Sequence, residues 1–211
     1  MAGGRHVRTR GGRTGILSVC PRGVKTLRRP REHGRLRHMF MLRHKDADLI
    51  RFDWLPDRGG RQEVRVDRVF PAARRLAPLE LRGDPTDEAL GRWLRGRTIP
   101  ANRAYVRNFL AKQGLSERDP RGILAVSRGL SLQDVFWIAE DGFPGRWADV
   151  NLYENPFSRV LAWLAFTGYG SYVRTSVRSS PEYTTNGALP KCWRRIAGRI
   201  LLFKGGSEGA A

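Results

Sequence analysis

Thr184-Thr185-Asn186-Gly187-Ala188-Leu189-Pro190-Lys191 is the stretch on which the reading of this chain turns. A glycine-containing turn ends there in a lysine. Cys192-Trp193-Arg194-Arg195-Ile196 follows, then an Ala197-Gly198 turn, then Arg199-Ile200-Leu201-Leu202-Phe203-Lys204-Gly205-Gly206. The last segment has the composition of a buried strand: β-branched and large apolar residues over a short span, closed by glycines. A loop with little side-chain bulk can offer backbone amides to phosphate oxygens, and lysines at the ends of loop and strand neutralise them. The glycine spacing matches neither the Walker nor the Rossmann pattern. The residues alone leave two readings open, a phosphate-binding loop and a surface hairpin turning at Asn186-Gly187.

Upstream of the loop, Ser171 to Ser180 is polar, basic and β-branched, and reads as a link. Before it, Phe157, Val160, Leu161 and Leu164 recur at i, i+3, i+4 and i+7 and predict a helix, closed by Gly168-Tyr169-Gly170. Ser131-Leu132-Gln133-Asp134 has the form of a variant capping box, opening an element that carries Phe136 and Trp137. Earlier still, Thr86 precedes Asp87-Glu88, and Ala89, Leu90, Trp93 and Leu94 share one face, so a helix is predicted up to Gly96. A second is predicted from Ala101 to Gly114, with Tyr105, Val106, Phe109 and Leu110 apolar. A third starts at Asp119-Pro120 and stops near Gly129.

The turn Arg97-Thr98-Ile99-Pro100-Ala101-Asn102-Arg103 between the first two helices admits a helix-turn-helix reading. In that reading Asn102, Arg103, Arg107, Asn108 and Lys112 face outward. Plain packing is the competing account, because the second helix places four apolar residues on a core. Nearer the start, Leu49 to Trp54 and Glu63 to Val69 alternate on either side of Asp57-Arg58-Gly59-Gly60, which predicts an antiparallel hairpin with one wet face.

The chain has 211 residues and a formal net charge of +19, unevenly spread. Residues 1–38 hold eleven Lys and Arg against one acid, Glu32, a net +10, leaving +9 for the rest. This Gly- and Arg-rich segment lacks helix or strand periodicity and is expected to be disordered. It reads as a nucleic-acid-binding arm, a targeting peptide, or text preceding a true start at Met39 or Met41. Two cysteines, Cys20 and Cys192, have no metal or redox spacing, and a reduced cytoplasmic setting is expected. No apolar run approaches the length of a membrane span.

Several motifs carry a resemblance. Ser180 to Arg195, with Leu202-Phe203-Lys204-Gly205-Gly206-Ser207-Glu208-Gly209, resembles the HipA-like serine/threonine protein kinases, in their short phage and firmicute-type branch. Gly129 to Ile138 and Asn151-Leu152-Tyr153-Glu154-Asn155-Pro156-Phe157-Ser158 resemble the same branch, and the likeness runs from Met41 to the end. The Ile-Pro-x-Asn-Arg segment also recurs in that branch, without a catalytic role.

The resemblance implies ATP and Mg2+ as cofactors, and a protein substrate or an antitoxin partner in a toxin-antitoxin setting. It places Asn186, Gly187, Ala188 and Lys191 on the phosphates, and Lys204 on the α- and β-phosphates. Thr184 or Thr185 would be the regulatory phosphorylation site. In these relatives the catalytic base and metal ligands lie well downstream of the Gly-Gly pair, whereas Ala211 follows Lys204 by seven residues. No catalytic residue is therefore assigned, and the chain is expected to be an inactive N-terminal part.

The expected architecture is α+β. A basic arm (1–38) precedes a β-hairpin and helical domain (39–170), and the opening strands of a kinase-like ATP lobe follow (171–211). The rival expectation is a non-catalytic nucleic-acid-binding regulator using the arm and helices 86 to 113.

Overall fold

The computed structural model describes residues 38–56, 62–171 and 180–206. The basic arm up to Arg37, the Asp57-Gly60 turn and nearly all of the 171–180 link lie outside these residues. In chain order the elements are β1 (Met39–His44), β2 (Ala47–Pro56), β3 (Gln62–Val69), α1 (Ala73–Leu76), α2 (Asp87–Gly96), α3 (Val106–Ala111), α4 (Pro120–Ser127), β4 (Phe136–Glu140), α5 (Trp147–Val150), α6 (Arg159–Thr167), β5 (Lys191–Ile196) and β6 (Arg199–Lys204). Short 3-10 turns stand at Leu79–Leu81 and Pro181–Tyr183. The fold is α+β, as expected.

Four strands form an antiparallel sheet in the order β3-β2-β1-β4. Period-two alternation sets its faces. Leu42 lies opposite Ile50 on one side and Ile138 on the other, and Phe40 lies opposite Phe52. These residues pack with Leu90 and Leu94 of α2 and with Leu81. Each fully buried leucine or isoleucine here contributes about 1.5–3 kcal/mol. The opposite face is polar over β2 and β3, where Arg51 pairs with Asp67 at 2.6 Å. Towards β4 it is covered by Leu130, Trp137, Ala139 and Leu152.

The helices hold as the caps predict, with three corrections. Thr86 accepts from the Ala89 amide at 3.1 Å, and Asp119 accepts from the Gly122 amide at 2.9 Å. The second helix is shorter than expected because Tyr105 sits at φ +63, a left-handed conformation that breaks the helix and delays it to Val106. Ser131 to Asp134 opens a strand, not a helix. Ser131 Oγ accepts from the amide of Gln133 and Asp134 Oδ1 from that of Phe136, each only two residues on, so both side chains close turns. In α6, Ser158 is the cap, which turns Leu161, Leu164 and Ala165 inward and leaves Val160 exposed.

A further cluster joins α3, α4 and α6: Ile99, Val106, Phe109, Leu110, Ile123, Leu161, Leu164, Ala165 and Tyr183. Tyr183 ties this cluster to the loop that begins at Thr184. Its ring lies 5.2 Å from that of Phe109, and its hydroxyl donates to Gln113 Oε1. The residue just before the loop is thus anchored in the core.

Candidate functional site

Beyond Tyr183 the chain does not make the Asn186-Gly187 hairpin. It enters the loop from a 3-10 turn, and the hairpin lies later: β5 pairs with β6 from Lys191–Lys204 to Ile196–Arg199. The two-residue connection is Ala197 (φ +48) and Gly198 (φ +78), both left-handed, as the tight turn between twisted strands requires. Leu201 and Phe203 are exposed, so β6 is a strand but not the buried one its composition suggests. It is an edge of a two-stranded sheet, with β5 alone beside it.

The stem of the loop is fastened by side chains. Thr184 Oγ1 donates to the Leu130 carbonyl at 2.7 Å, and Thr185 Oγ1 donates to Pro181 O at 2.6 Å while accepting from Trp193 Nε1 at 2.7 Å. Glu182 is fully buried. Its Oε1 accepts from the Trp193 amide at 2.8 Å and its Oε2 from the Ser180 hydroxyl. Burial pushes the Glu182 carboxyl above the usual range, against the pull of these hydrogen bonds and of the Arg103 charge.

Over the tip, four successive carbonyls are engaged from the protein side. Arg103 Nη2 donates to Thr185 O, Lys191 Nζ to Asn186 O at 2.6 Å, Arg103 Nε to Gly187 O at 2.5 Å, and the Ala104 amide to Ala188 O at 2.8 Å. In a trans peptide the N–H points opposite to the C=O of the same plane. The amides of Asn186, Gly187, Ala188 and Leu189 are therefore turned away from those donors. These four residues are exposed, and among the described residues their amides have no acceptor. Gly187 has φ +100, and a Cβ there would run into Lys191 Nζ. The backbone conformation favours glycine, and a larger residue would also displace the ammonium.

Three cations meet at this place. Lys191 and Lys204 are cross-strand partners at the open end of the hairpin, and Gly205 N donates to Pro190 O at 2.8 Å. Lys191 is 8% exposed. Its ammonium is held below the ordinary lysine value by burial first, then by Arg103 and Lys204. Arg103 is 3% exposed, and its Nη1 is buried without a partner. Burial likewise lowers its proton affinity, partly offset by Glu182. Among the described residues none of the three forms a salt bridge. A cavity of about 780 Å³ opens beside Asn186, with Arg95, Ile99, Pro100 and Arg118 in its wall.

The residues singled out from sequence thus lie together: Asn186, Gly187 and Ala188 at the tip, Lys191 beneath it, Lys204 across the strand. Both threonines are tied into the stem, Thr184 the more deeply. The helix-turn-helix reading turns Arg103 outward; in the structure it turns inward, to the loop. That corrects the outward set, and α3, six residues long, presents Arg107 and Asn108 to solvent. Arg103, Ala104 and Glu182 are parts of the site that sequence reasoning missed. The one available signal was an arginine and a glutamate standing inside otherwise structural runs. Among the described residues no group of three or more His, Cys, Asp or Glu side chains is placed to hold a metal, and no helix is long and apolar enough to cross a membrane. No protein-family model, no curated protein and no solved structure matches this chain.

Proposed function

We propose that the loop Thr184–Lys191, with Lys204, binds the phosphates of a nucleoside triphosphate, in the manner of the ATP lobe of a HipA-like kinase. The observation that carries this reading is the run of exposed amides from Asn186 to Leu189, without acceptors among the described residues, beside Lys191 and Lys204, which have no salt bridge there, and Arg103, whose charge is only partly offset by Glu182. Unpaired N–H groups and an excess of positive charge both favour an anion, and a chain of phosphates supplies several oxygens at once. The motif resemblance supplies the identity of that anion, ATP. In a full-length relative the chemistry would be phosphate transfer to serine or threonine, with Mg2+ accompanying the nucleotide. The part taken by this chain is the cradle, and a cytoplasmic setting goes with ATP use.

The fit has a particular form. Lys191 is engaged with the Asn186 carbonyl, so it supports the loop and adds charge, whereas the exposed Lys204 is the ammonium free to meet an oxygen. Calorimetric titration of the full chain with ATP tests the reading. Wild type binds, and Lys204→Ala weakens binding about tenfold or more, the loss of one hydrogen bond between charged groups (about 1.5–3 kcal/mol). Absence of binding by the folded wild-type chain would overturn it.

A further inference from the structure

One buried side chain is accounted for by neither the motif nor the packing of the core. Among the described residues Arg103 has no carboxylate in hydrogen-bonding contact, and its Nη1 has no partner. Burying a guanidinium in this way is costly unless its donors meet acceptors of high value. The donors that do find acceptors go to two alternate carbonyls of one loop, Thr185 and Gly187, more than eighty residues away in sequence.

We infer that Arg103 is a positioning residue that fixes the orientation of the peptide planes at the tip of the loop. The inference rests on the nucleotide reading for its consequence but not for its geometry. Each carbonyl that Arg103 takes turns the following amide outward, so its two bonds set the N–H groups of Asn186 and Ala188. Lys191 sets the plane between them, and the amide of Ala104, next to Arg103, sets the plane after. The strap itself is held. Arg103 N donates to Pro100 O at 3.0 Å, and Val106 N donates to Arg103 O at 3.2 Å. The left-handed Tyr105 lies against Gly168, where a Cβ would strike its ring. The planar fork of arginine can hold two carbonyls at fixed separation; a lysine in its place can hold one with less defined direction.

Arg103 therefore acts on anion affinity without touching the anion. Removing the side chain altogether would leave Glu182 buried without its cation, so Arg103→Lys, which keeps the charge, is the informative variant. Two readouts are taken on the full chain: backbone 15N order parameters of Asn186, Gly187 and Ala188 without ligand, and the dissociation constant for ATP. Ile50→Val, in the separate core against the four-stranded sheet, serves as a control that lowers thermal stability while leaving the Arg103 bonds in place.

In wild type the three amides are expected near the rigid-backbone value of about 0.85, and in Arg103→Lys below about 0.6. ATP affinity should fall about tenfold or more, whereas Ile50→Val should change neither readout. Unchanged loop order in Arg103→Lys would overturn the inference, and so would an equal loss in Ile50→Val. If wild type binds no ATP, the nucleotide reading fails, and the order parameters still decide the role of Arg103.

Discussion

Arg103 Nε donates to the carbonyl of Gly187 at 2.5 Å, joining the turn before α3 to the tip of a loop 84 residues later. That bond links two regions that would otherwise have separate explanations. The Ile99-Arg103 turn is a packing element, with Ile99 in the core beside Tyr183, and it is also the strut beneath the loop. Helical packing, loop orientation and cation placement are thus one arrangement, and each can be perturbed separately.

Gly187 is the most constrained position of the loop. Alanine there must adopt φ near +100 and meet the Lys191 ammonium. Gly187→Ala is expected to lower stability by about 1–3 kcal/mol and to release Lys191 from the Asn186 carbonyl. Urea denaturation measures the first effect, and a denaturation midpoint equal to wild type would contradict it.

Glu182 gives a pH dependence with a definite sign. Its carboxyl is raised in the folded protein, so the folded state holds that proton more tightly than the unfolded chain does. Its contribution is most favourable below the ordinary carboxylate range and is lost as pH rises through the raised folded value. Relative to Glu182→Gln, wild type should lose stability as pH increases from about 4 upward. Chemical denaturation of both proteins across that range checks this, and a difference that grows in favour of wild type would refute it.

Lys191 carries the opposite kind of shift. Its ammonium is lowered by burial, Arg103 and Lys204, so the loop loses positive charge at a lower pH than an ordinary lysine would. ATP affinity should fall as pH rises towards that lowered value, and Lys204→Ala should move the fall to higher pH because one repelling charge is gone. Titrations at several alkaline pH values test the order of the two curves.

Arg97 and Asp134 make a tight ionic contact. Arg97 donates to both Asp134 oxygens, at 2.6 and 2.9 Å, and also to the carbonyls of Gly129 and Phe136. Asp134 is about a third exposed, so Asp134→Ala should cost about 2 kcal/mol, less than a fully buried pair would. The cluster meets the loop stem at Gly129, next to the Leu130 carbonyl that Thr184 holds, so ATP binding by the folded fraction should change less than in Lys204→Ala.

Much of the fold is legible in local pattern. Thr86 and Asp119 are caps that act over three residues, and the alternation of β2 and β3 needs only neighbours to be read. Ser131 and Asp134 mislead because a serine followed by an acid suits a turn into a strand as well as a helix start. The bonds that choose between them depend on Arg97 and on pairing with β1. For the site, Gly187 and the two lysines can be found from loop chemistry. Arg103 cannot, since in sequence it is one basic residue among many, and only the packing of Tyr183 against Phe109 brings it under the loop. Exposure of Leu201 and Phe203 is hidden in the same way: composition favours a strand, but what covers it is a matter of tertiary structure.

The outward amides of Asn186 to Leu189 are proposed to receive phosphate oxygens. Titrating 15N-labelled full chain with ATP, and following each backbone amide by NMR, tests this most directly. Saturable downfield shifts are predicted, concentrated at Asn186, Gly187, Ala188 and Leu189 and reduced in Lys204→Ala. Shifts absent from these four amides at saturating ATP, or confined to the cavity wall around Arg95 and Arg118, would contradict it.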